Sequence, residues 1–477
     1  MDYQSRKALV DKLQELELKY DVHLWQMEGV QVWPIIKKNI FFYHFQKSKQ
    51  QENKQASKNL ILKNKIKGVL KRIKAFYYVN FKNIPKADIV FSGAPSHRIN
   101  YKGEFINRYF DPIMDQTEGS YVLAEYKKLP KRKIYGKERV TDLAIYLPAF
   151  TKSSSFNKSW NILRQNEGFA NFLKDLENIQ LIDISLLRSK VFSNLNNILN
   201  WRSLFQWFLK NTKAKAAFGL CYYNSQMYGM NLAARGLNIP CVDMQHGTQG
   251  LLHTSYNIQK HPDKGYNALP THFWVWDELS KKDLEINHKN YKIIKGGNPS
   301  LSFSANKELD FSFDQKKPSV LITVQPLVEI LPDYIYQSIK ETASQFNWWI
   351  RLHPRMTQNE INNLKYKLKE FDVYDVVKIE EVTSIPLAQI LANTDIHISK
   401  FSGTIAEAAL MNVKTIIIDQ LGVDSFQELI SQNLAYSFTG YSKEEFILKL
   451  FELNNKTLES SNFEEVNYKE YINEIIK

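Results

Sequence analysis

Residues 394–410 read TDIHISKFSGTIAEAAL. A short apolar run ends in small hydroxyl residues and a glycine, and an Ala- and Glu-rich segment follows at once. That is the passage from a buried strand into a helix. It repeats on both sides of this stretch. PSVLITV (318–324) leads to a helical segment from Asp333, WWIRLHP (348–354) to one near Asn359, and VVKIEE (376–381) to a short one at Pro386. KTIIID (414–419) leads to a helix near Asp424, and LAYSF (434–438) to one from Ser442. About six strands alternating with helices imply a parallel sheet of βαβ units, a Rossmann-like α/β domain.

A second series of the same kind lies upstream. ADIVFSG (87–93), YVLAEY (121–126), LAIYLPAF (143–150), IQLIDIS (179–185), AAFGLCYY (216–223) and IPCVDMQHG (239–247) read as strands. THFWVWDE (271–278) and KIIKGGNPS (292–300) close it. The polar, aperiodic stretch that follows reads as a linker. The expected division is a helical, basic segment over 1–86, a Rossmann-like domain over 87–300, a linker over 301–317 and a second Rossmann-like domain over 318–477. A chain of 477 residues with 44% apolar composition supplies cores for two such domains.

In open α/β sheets ligands bind beyond the carboxyl ends of the strands, and three clusters fall there. Gln245, His246, Gly247 and Thr248 follow IPCVDM; an imidazole at a strand end accepts a proton near neutral pH, and Gly247 permits close backbone approach. Asp243, two residues before Gln245, is placed to orient His246. Arg351, His353, Pro354 and Arg355 follow WWI; the basic groups suit phosphate oxygens and the proline fixes where His353 points. Ser402, Gly403 and Thr404 open a helix, whose amides and dipole suit a phosphate. Thr404 and Glu407 also have capping-box spacing, so Glu407 reads either as a cap or as a ribose contact. A polar loop after the first strand carries His97, Arg98 and Glu104, with Arg108 and Asp111 just beyond. It suits a sugar acceptor, or is simply solvated.

Only two cysteines occur, Cys221 and Cys241, at the ends of successive apolar runs. They read as buried core thiols in a reducing compartment, with no metal cluster and no disulfide framework. The N-terminus is charged and lacks an apolar signal region, and no apolar run reaches eighteen residues. The expected location is therefore the cytoplasm. Net charge is +13, and residues 37–86 alone hold fourteen Lys or Arg against one acid, Glu52. Lys63, Lys65, Lys67, Lys71, Arg72 and Lys74 alternate at helical spacing with Ile66, Leu70, Ile73 and Phe76. A basic amphipathic helix of this kind either lies on an anionic membrane or packs its apolar stripe on the adjoining domain. Nucleic-acid binding would use the cations but leave the strand-end clusters unexplained.

QHGT, then RLHP, then S-x-x-S-G-T-x-x-E-A resembles the bacterial GT-B transferases of capsule, lipopolysaccharide and teichoic acid synthesis. These include the capsular Kdo transferases, the polysialyltransferases and the CDP-glycerol glycerophosphotransferases. The resemblance runs from about Ile239 to Asp419, with WVWDE and GGNP before the linker adding to it. It implies a GT-B fold, two Rossmann-like domains facing a cleft, here with an N-terminal helical basic extension. It implies that His353 and Pro354 hold the nucleotide phosphate, that Ser402 and Thr404 lie near the same phosphate, that Glu407 meets the ribose and that His246 matches a proposed base. The paired acidic-Gly motif of the polysialyltransferases is not found.

The expected chemistry is displacement at an anomeric carbon, with His246, Glu104 or Asp111 as base. The leaving phosphate is stabilised by side chains and helix amides, such donors being worth about 2.7–4 kcal/mol where measured. No cofactor and no metal are expected. The donor is a CMP-, CDP-, UDP- or GDP-linked sugar, and the acceptor a lipid-linked or polysaccharide chain at the inner face of a bacterial membrane. A sugar-nucleotide epimerase of the same architecture and a non-catalytic scaffold of a polysaccharide assembly are the alternatives.

Overall fold

A computed structural model describes residues 3–47, 58–247, 249–250, 252–305, 308–456 and 466–477; side chains at 3–4, 45–47 and 58–67 lie outside that description. Two parallel sheets organise the chain. The first is made of β1 (Ile89–Gly93), β2 (Tyr121–Glu125), β3 (Val140–Asp142), β4 (Ala216–Leu220), β5 (Cys241–Met244), β6 (His272–Val275) and β7 (Lys292–Lys295). In space the order is β7-β6-β5-β4-β1-β2-β3, with every pair parallel. The second is made of β8 (Ser319–Thr323), β9 (Asn347–Arg351), β10 (Val377–Lys378), β11 (Ile396–Ser399), β12 (Lys414–Ile417) and β13 (Ala435–Ser437). Its order is β10-β9-β8-β11-β12-β13, again all parallel.

Helices on both faces explain the composition of the central strands. β1, β4 and β8 are buried along their whole length, so they read as continuous apolar or small runs without polar alternation. In each sheet the strand order reverses beside the first strand, between β1 and β4 and between β8 and β11. Such a reversal opens a crevice at the carboxyl ends.

Two expected strands are absent. LAIYLPAF forms a 3₁₀ turn (Leu143–Ile145) and a short helix (Leu147–Phe150), and β3 lies just before it. Asp142 caps the turn by accepting from Ala144 N at 3.0 Å, and Pro148 sits in the first helical turn, where its missing N–H costs nothing. IQLIDIS is no strand either. Asp183 accepts from Leu186 N at 2.8 Å and starts the helix Ile184–Thr212.

The chain forms two compact units, one of residues 1–98, 107–298 and 467–477, the other of 99–106 and 299–466. The break at 298 falls close to the expected boundary at 300. The segment 1–86 does not stand apart, because it completes the first unit's core. Trp25 and Trp33 are buried with Phe169 and Phe172, ring centroids 4.9–5.8 Å apart. Lys37, counted in the basic block, is consumed internally by a buried ion pair to Glu17 at 2.5 Å. The expected linker is anchored too: Phe311 and Phe313 meet Trp349 edge-on at 5.6 and 5.3 Å. The last helix, Tyr468–Ile476, belongs to the first unit, where Tyr468 and Tyr471 lie against Trp274.

Candidate active site

In the first unit, the strands at the reversal deliver their side chains to one place. After Gly93, β1 passes into a short turn, Pro95–His97. After Leu220, β4 turns sharply at Cys221, whose φ of 60° is left-handed and uncommon for a residue other than glycine. After Met244, β5 leads to Gln245 and His246. The result is a thiol–imidazole pair: Cys221 Sγ stands 2.8 Å from His246 Nε2, and the Tyr223 hydroxyl 3.5 Å from the same nitrogen. The His97 ring lies 6.5 Å from the His246 ring, centre to centre. Tyr109 donates to the His246 carbonyl at 3.2 Å, and Arg108 donates to the Tyr109 hydroxyl at 2.5 Å.

Burial, and then the Arg108 charge, push the His246 imidazolium down to about 4. His97 is pushed to about 3 by burial and by His246. Both rings are therefore neutral at physiological pH, the state in which an imidazole accepts a proton.

Gln245 fastens the chain just before His246. The Gln245 amide donates to Gly247 O at 3.2 Å and to Ser280 Oγ at 3.0 Å, and accepts from Trp276 N at 2.7 Å. Gln245 is thus a scaffold residue inside the loop. A Cβ on Gly247 would meet nothing within 4 Å, so no protein atom crowds the backbone there. Thr248 lies outside the described residues. Asp243 does not orient His246. It accepts from Tyr222 N at 3.0 Å and from the Tyr256 hydroxyl at 2.8 Å, tying down the β4 loop, and burial raises its carboxyl to about 7.

The polar loop after β1 is not solvated throughout. Arg98 is buried, bonded to Glu125 at 2.8 Å and 3.8 Å from Asp111. Asp111 also accepts from Asn107 N at 2.6 Å, and burial raises its carboxyl to about 6. Arg98 and Asp111, expected to face an acceptor, form an internal ionic network instead. Glu104 is half-buried at the start of the ribbon strand Glu104–Asn107.

In the second unit, Arg351, Thr323 and Ser399 stand side by side in register at the carboxyl edges of β9, β8 and β11. Thr323 Oγ1 gathers His397 Nε2 at 2.9 Å, Ser399 Oγ at 3.0 Å and Thr404 Oγ1 at 2.9 Å. This hydroxyl–imidazole cluster sits under the start of the helix Thr404–Leu410. It escaped the sequence reading because its members lie on different strands. Thr404 is therefore no helix cap: Gly403 holds the cap position and no side chain caps it. The Ser402 hydroxyl accepts from Thr404 N at 3.3 Å, and Gln325 Oε1 accepts from Phe401 N at 3.2 Å. Glu407 is buried.

Arg351 points into the unit, donating to Val382 O at 2.7 Å and Ile385 O at 2.6 Å. His353 is half-buried, its Nδ1 accepting from Arg355 N at 3.0 Å, while Pro354 and Arg355 are exposed. Of the basic cluster, His353 and Arg355 stay at the surface, and Arg351 braces the turn at 382–385. Among the described residues no three His, Cys, Asp or Glu side chains form a metal-holding group.

In the basic helix Lys58–Phe81, the side chains of Lys63, Lys65 and Lys67 lie outside the description; Lys71, Arg72 and Lys74 are exposed. The stripe that packs on the first unit is Ala75, Tyr78 and Val79. Val69, Leu70, Ile73, Tyr77 and Phe81 are each at least 60% exposed. No helix among the described residues is long and apolar enough to cross a membrane.

No protein-family model matches the sequence, and no curated protein matches it. Solved structures of similar architecture include the UDP-GlcNAc 2-epimerase of Methanocaldococcus jannaschii, 13% identical over 81% of this chain and 98% of that one, TM-score 0.47. A glycotransferase of kitacinnamycin is 9% identical over 78% and 91%, TM-score 0.45. UGT71G1 of Medicago truncatula, complexed with UDP-glucose, is 10% identical over 82% and 93%, TM-score 0.42.

Proposed function

We propose that this chain is a GT-B glycosyltransferase that moves a sugar from a nucleotide-sugar donor to a lipid-linked or polysaccharide acceptor of a bacterial surface polymer. The observation that carries the reading is the start of the helix Thr404–Leu410 at the strand-order reversal of the second sheet. The N–H groups of Ser402 and Gly403 make no hydrogen bond among the described residues. With the Ser402 hydroxyl they supply donors for a nucleotide phosphate. Beyond the end of β9, separated from β11 by β8, Arg355 is the candidate countercharge and His353 a candidate phosphate contact, and Glu407 is the candidate ribose contact. In the first unit, neutral His246 takes the proton of the acceptor hydroxyl as the acceptor oxygen attacks the anomeric carbon and the nucleotide leaves. Glu104, on the ribbon that belongs to the second unit, is the alternative base. Asp111, already bonded inside the unit, is the weaker candidate.

The helix Lys58–Phe81 offers both elements of interfacial binding, exposed apolar side chains and exposed cations. We assign it to the anionic inner leaflet, where a lipid-linked acceptor would be met.

A thermal-shift panel with CMP, CDP, UDP and GDP tests the donor site, and one nucleotide is expected to stabilise the fold by RT ln(1 + [L]/Kd) and so to raise the melting temperature. Incubation with the matching nucleotide sugar, with and without acceptor, then separates transfer from epimerisation of the donor. Turnover of donor alone into an epimer would replace the transferase reading.

A further inference from the structure

The first unit holds a cavity of about 440 Å³ lined in part by Tyr223, within the range of about 300–1,000 Å³ usual for small-ligand sites. Three elements wall it. The loop after β4 contributes Tyr223, the helix Trp33–Lys47 contributes Lys38, Asn39 and Phe42, and the helix Ile184–Thr212 contributes Lys190 and Asn194. No Asp or Glu is among the described residues that line it.

The lining chemistry is specific. Lys38 is half-buried and donates to Tyr223 O at 2.9 Å; burial pushes its ammonium down to about 8, so it is still mostly charged near pH 7, and an anion brought beside it would offset the cost of that burial. Lys190 has no carboxylate partner among the described residues. Asn39, 7% exposed, keeps its amide nitrogen without an acceptor, a donor whose burial costs free energy until something accepts from it. Asn194 donates to Asn39 Oδ1 at 2.8 Å and holds that amide in place. Two ammonium groups, oriented amides and aromatic rings match a saccharide that carries an acidic group. Tyr223, one of the lining residues, has its hydroxyl 3.5 Å from His246 Nε2. One residue thus links the cavity to the base candidate.

We infer that this cavity is an acceptor subsite for an acidic sugar, carboxylate- or phosphate-bearing, on the polymer being extended. The inference rests on the glycosyl-transfer reading and names its acceptor class. It also gives the N-terminal segment a role in the site, since a helix that no sequence motif marked supplies one wall.

The test is calorimetric titration of the full chain with three probes: a hyaluronan tetrasaccharide for the carboxylate, glucose 6-phosphate for the phosphate, and neutral maltotetraose. At least one acidic probe is expected to bind about tenfold or more tighter than maltotetraose, and the tighter of the two identifies the acidic group. Lys190→Gln should weaken that binding by about tenfold, while Lys190→Arg restores most of it. Melting curves of both variants with the nucleotide panel report folding and the donor site separately. Equal binding of maltotetraose, no binding of either acid, or wild-type affinity in Lys190→Gln would overturn the subsite. Nucleotide shifts without acid binding sink the subsite alone. Acid binding through Lys190 without any nucleotide shift sinks the transferase reading, and with it the acceptor role, while the acidic-sugar site itself stands.

Discussion

His246 carries the sharpest chemical consequence of single-residue geometry. With its imidazolium pushed to about 4, it is already neutral at pH 5, so a rate limited by this base should hold its acid limb below pH 5 instead of near 6.5. His246→Asn should lower transfer by about 10²–10⁴-fold with nucleotide-induced melting shifts preserved; loss of those shifts with an unchanged rate at saturating donor would reassign the residue. Its partner makes a second prediction. Cys221 is half-buried beside an imidazole, while Cys241 is fully buried and burial raises its thiol. Iodoacetamide should therefore modify Cys221 well before Cys241, and activity should fall in step, as read by peptide mass mapping. Equal labelling would remove any special reactivity from the pair. His246 stood out in the sequence because it closes an apolar run just before Gly247. Its pairing with Cys221 was not, since that contact depends on the left-handed turn at Cys221, twenty-five positions earlier. The Thr323 cluster was hidden for the same reason: each member looks ordinary on its own strand.

Elements were most legible where a strand's whole length is buried, as in β1, β4 and β8. The two apolar runs 143–150 and 179–185 meet carboxylate caps, Asp142 just before the first and Asp183 inside the second, and the local hydrogen bonds of these caps decided the matter. Packing between elements supplies a test in the second unit. A Cβ on Gly422, in the helix Gln420–Ser425, would fall 1.9 Å from the Lys400 carbonyl oxygen. Gly422→Ala must displace that helix or the loop leading to Ser402. It should cost about 1–3 kcal/mol and weaken nucleotide binding together with stability. Gly236→Ala is the control: it meets nothing within 4 Å at the end of the helix Ser225–Gly236 and should be neutral or slightly stabilising in a melting experiment. Equal melting temperatures for the two variants would show that the Gly422 contact relaxes freely. The helix Lys58–Phe81 is tested by co-sedimentation with anionic and neutral vesicles. Leu70, Ile73 and Tyr77 changed to Ser should abolish binding to anionic vesicles as effectively as Lys71, Arg72 and Lys74 changed to Gln, because interfacial binding needs both faces. Undiminished binding of either triple variant would remove the helix from the membrane.

At the scale of the whole molecule, the two Rossmann-like units were legible as a rhythm, but the closing of the first unit by both chain ends was not. That closure rests on contacts between residues far apart in the chain, such as Tyr468 on Trp274. The same dense burial fixes how the chain responds to acid. Burial pushes His272 to about 4, His397 to about 3 and His288 well below its ordinary value, and His97, His246 and His253 are lowered as well. An unfolded histidine binds its proton near 6.5, so between about 4 and 6.5 the unfolded chain holds more protons than the native one. Stability from these groups is present above 6.5 and is lost as pH falls through that window. Asp111 and Asp243 act in the opposite sense. Their carboxyls are raised to about 6 and about 7, so the native state keeps protons that the unfolded chain releases near 4, and their contribution is lost as pH rises. With His261 lowered as well, seven histidines stand against four raised carboxyls, Asp111, Asp243, Glu125 and Asp142, and His288 and His397 are buried completely. The melting temperature should therefore fall by several degrees between pH 7.5 and pH 5. It should fall less steeply in His397→Gln, where an amide takes the place of the imidazole between Thr323 and Thr415 and one opposing titration is gone. A melting temperature that stays level or rises on acidification would mean that the buried carboxylates, not the histidines, govern the pH response of the fold.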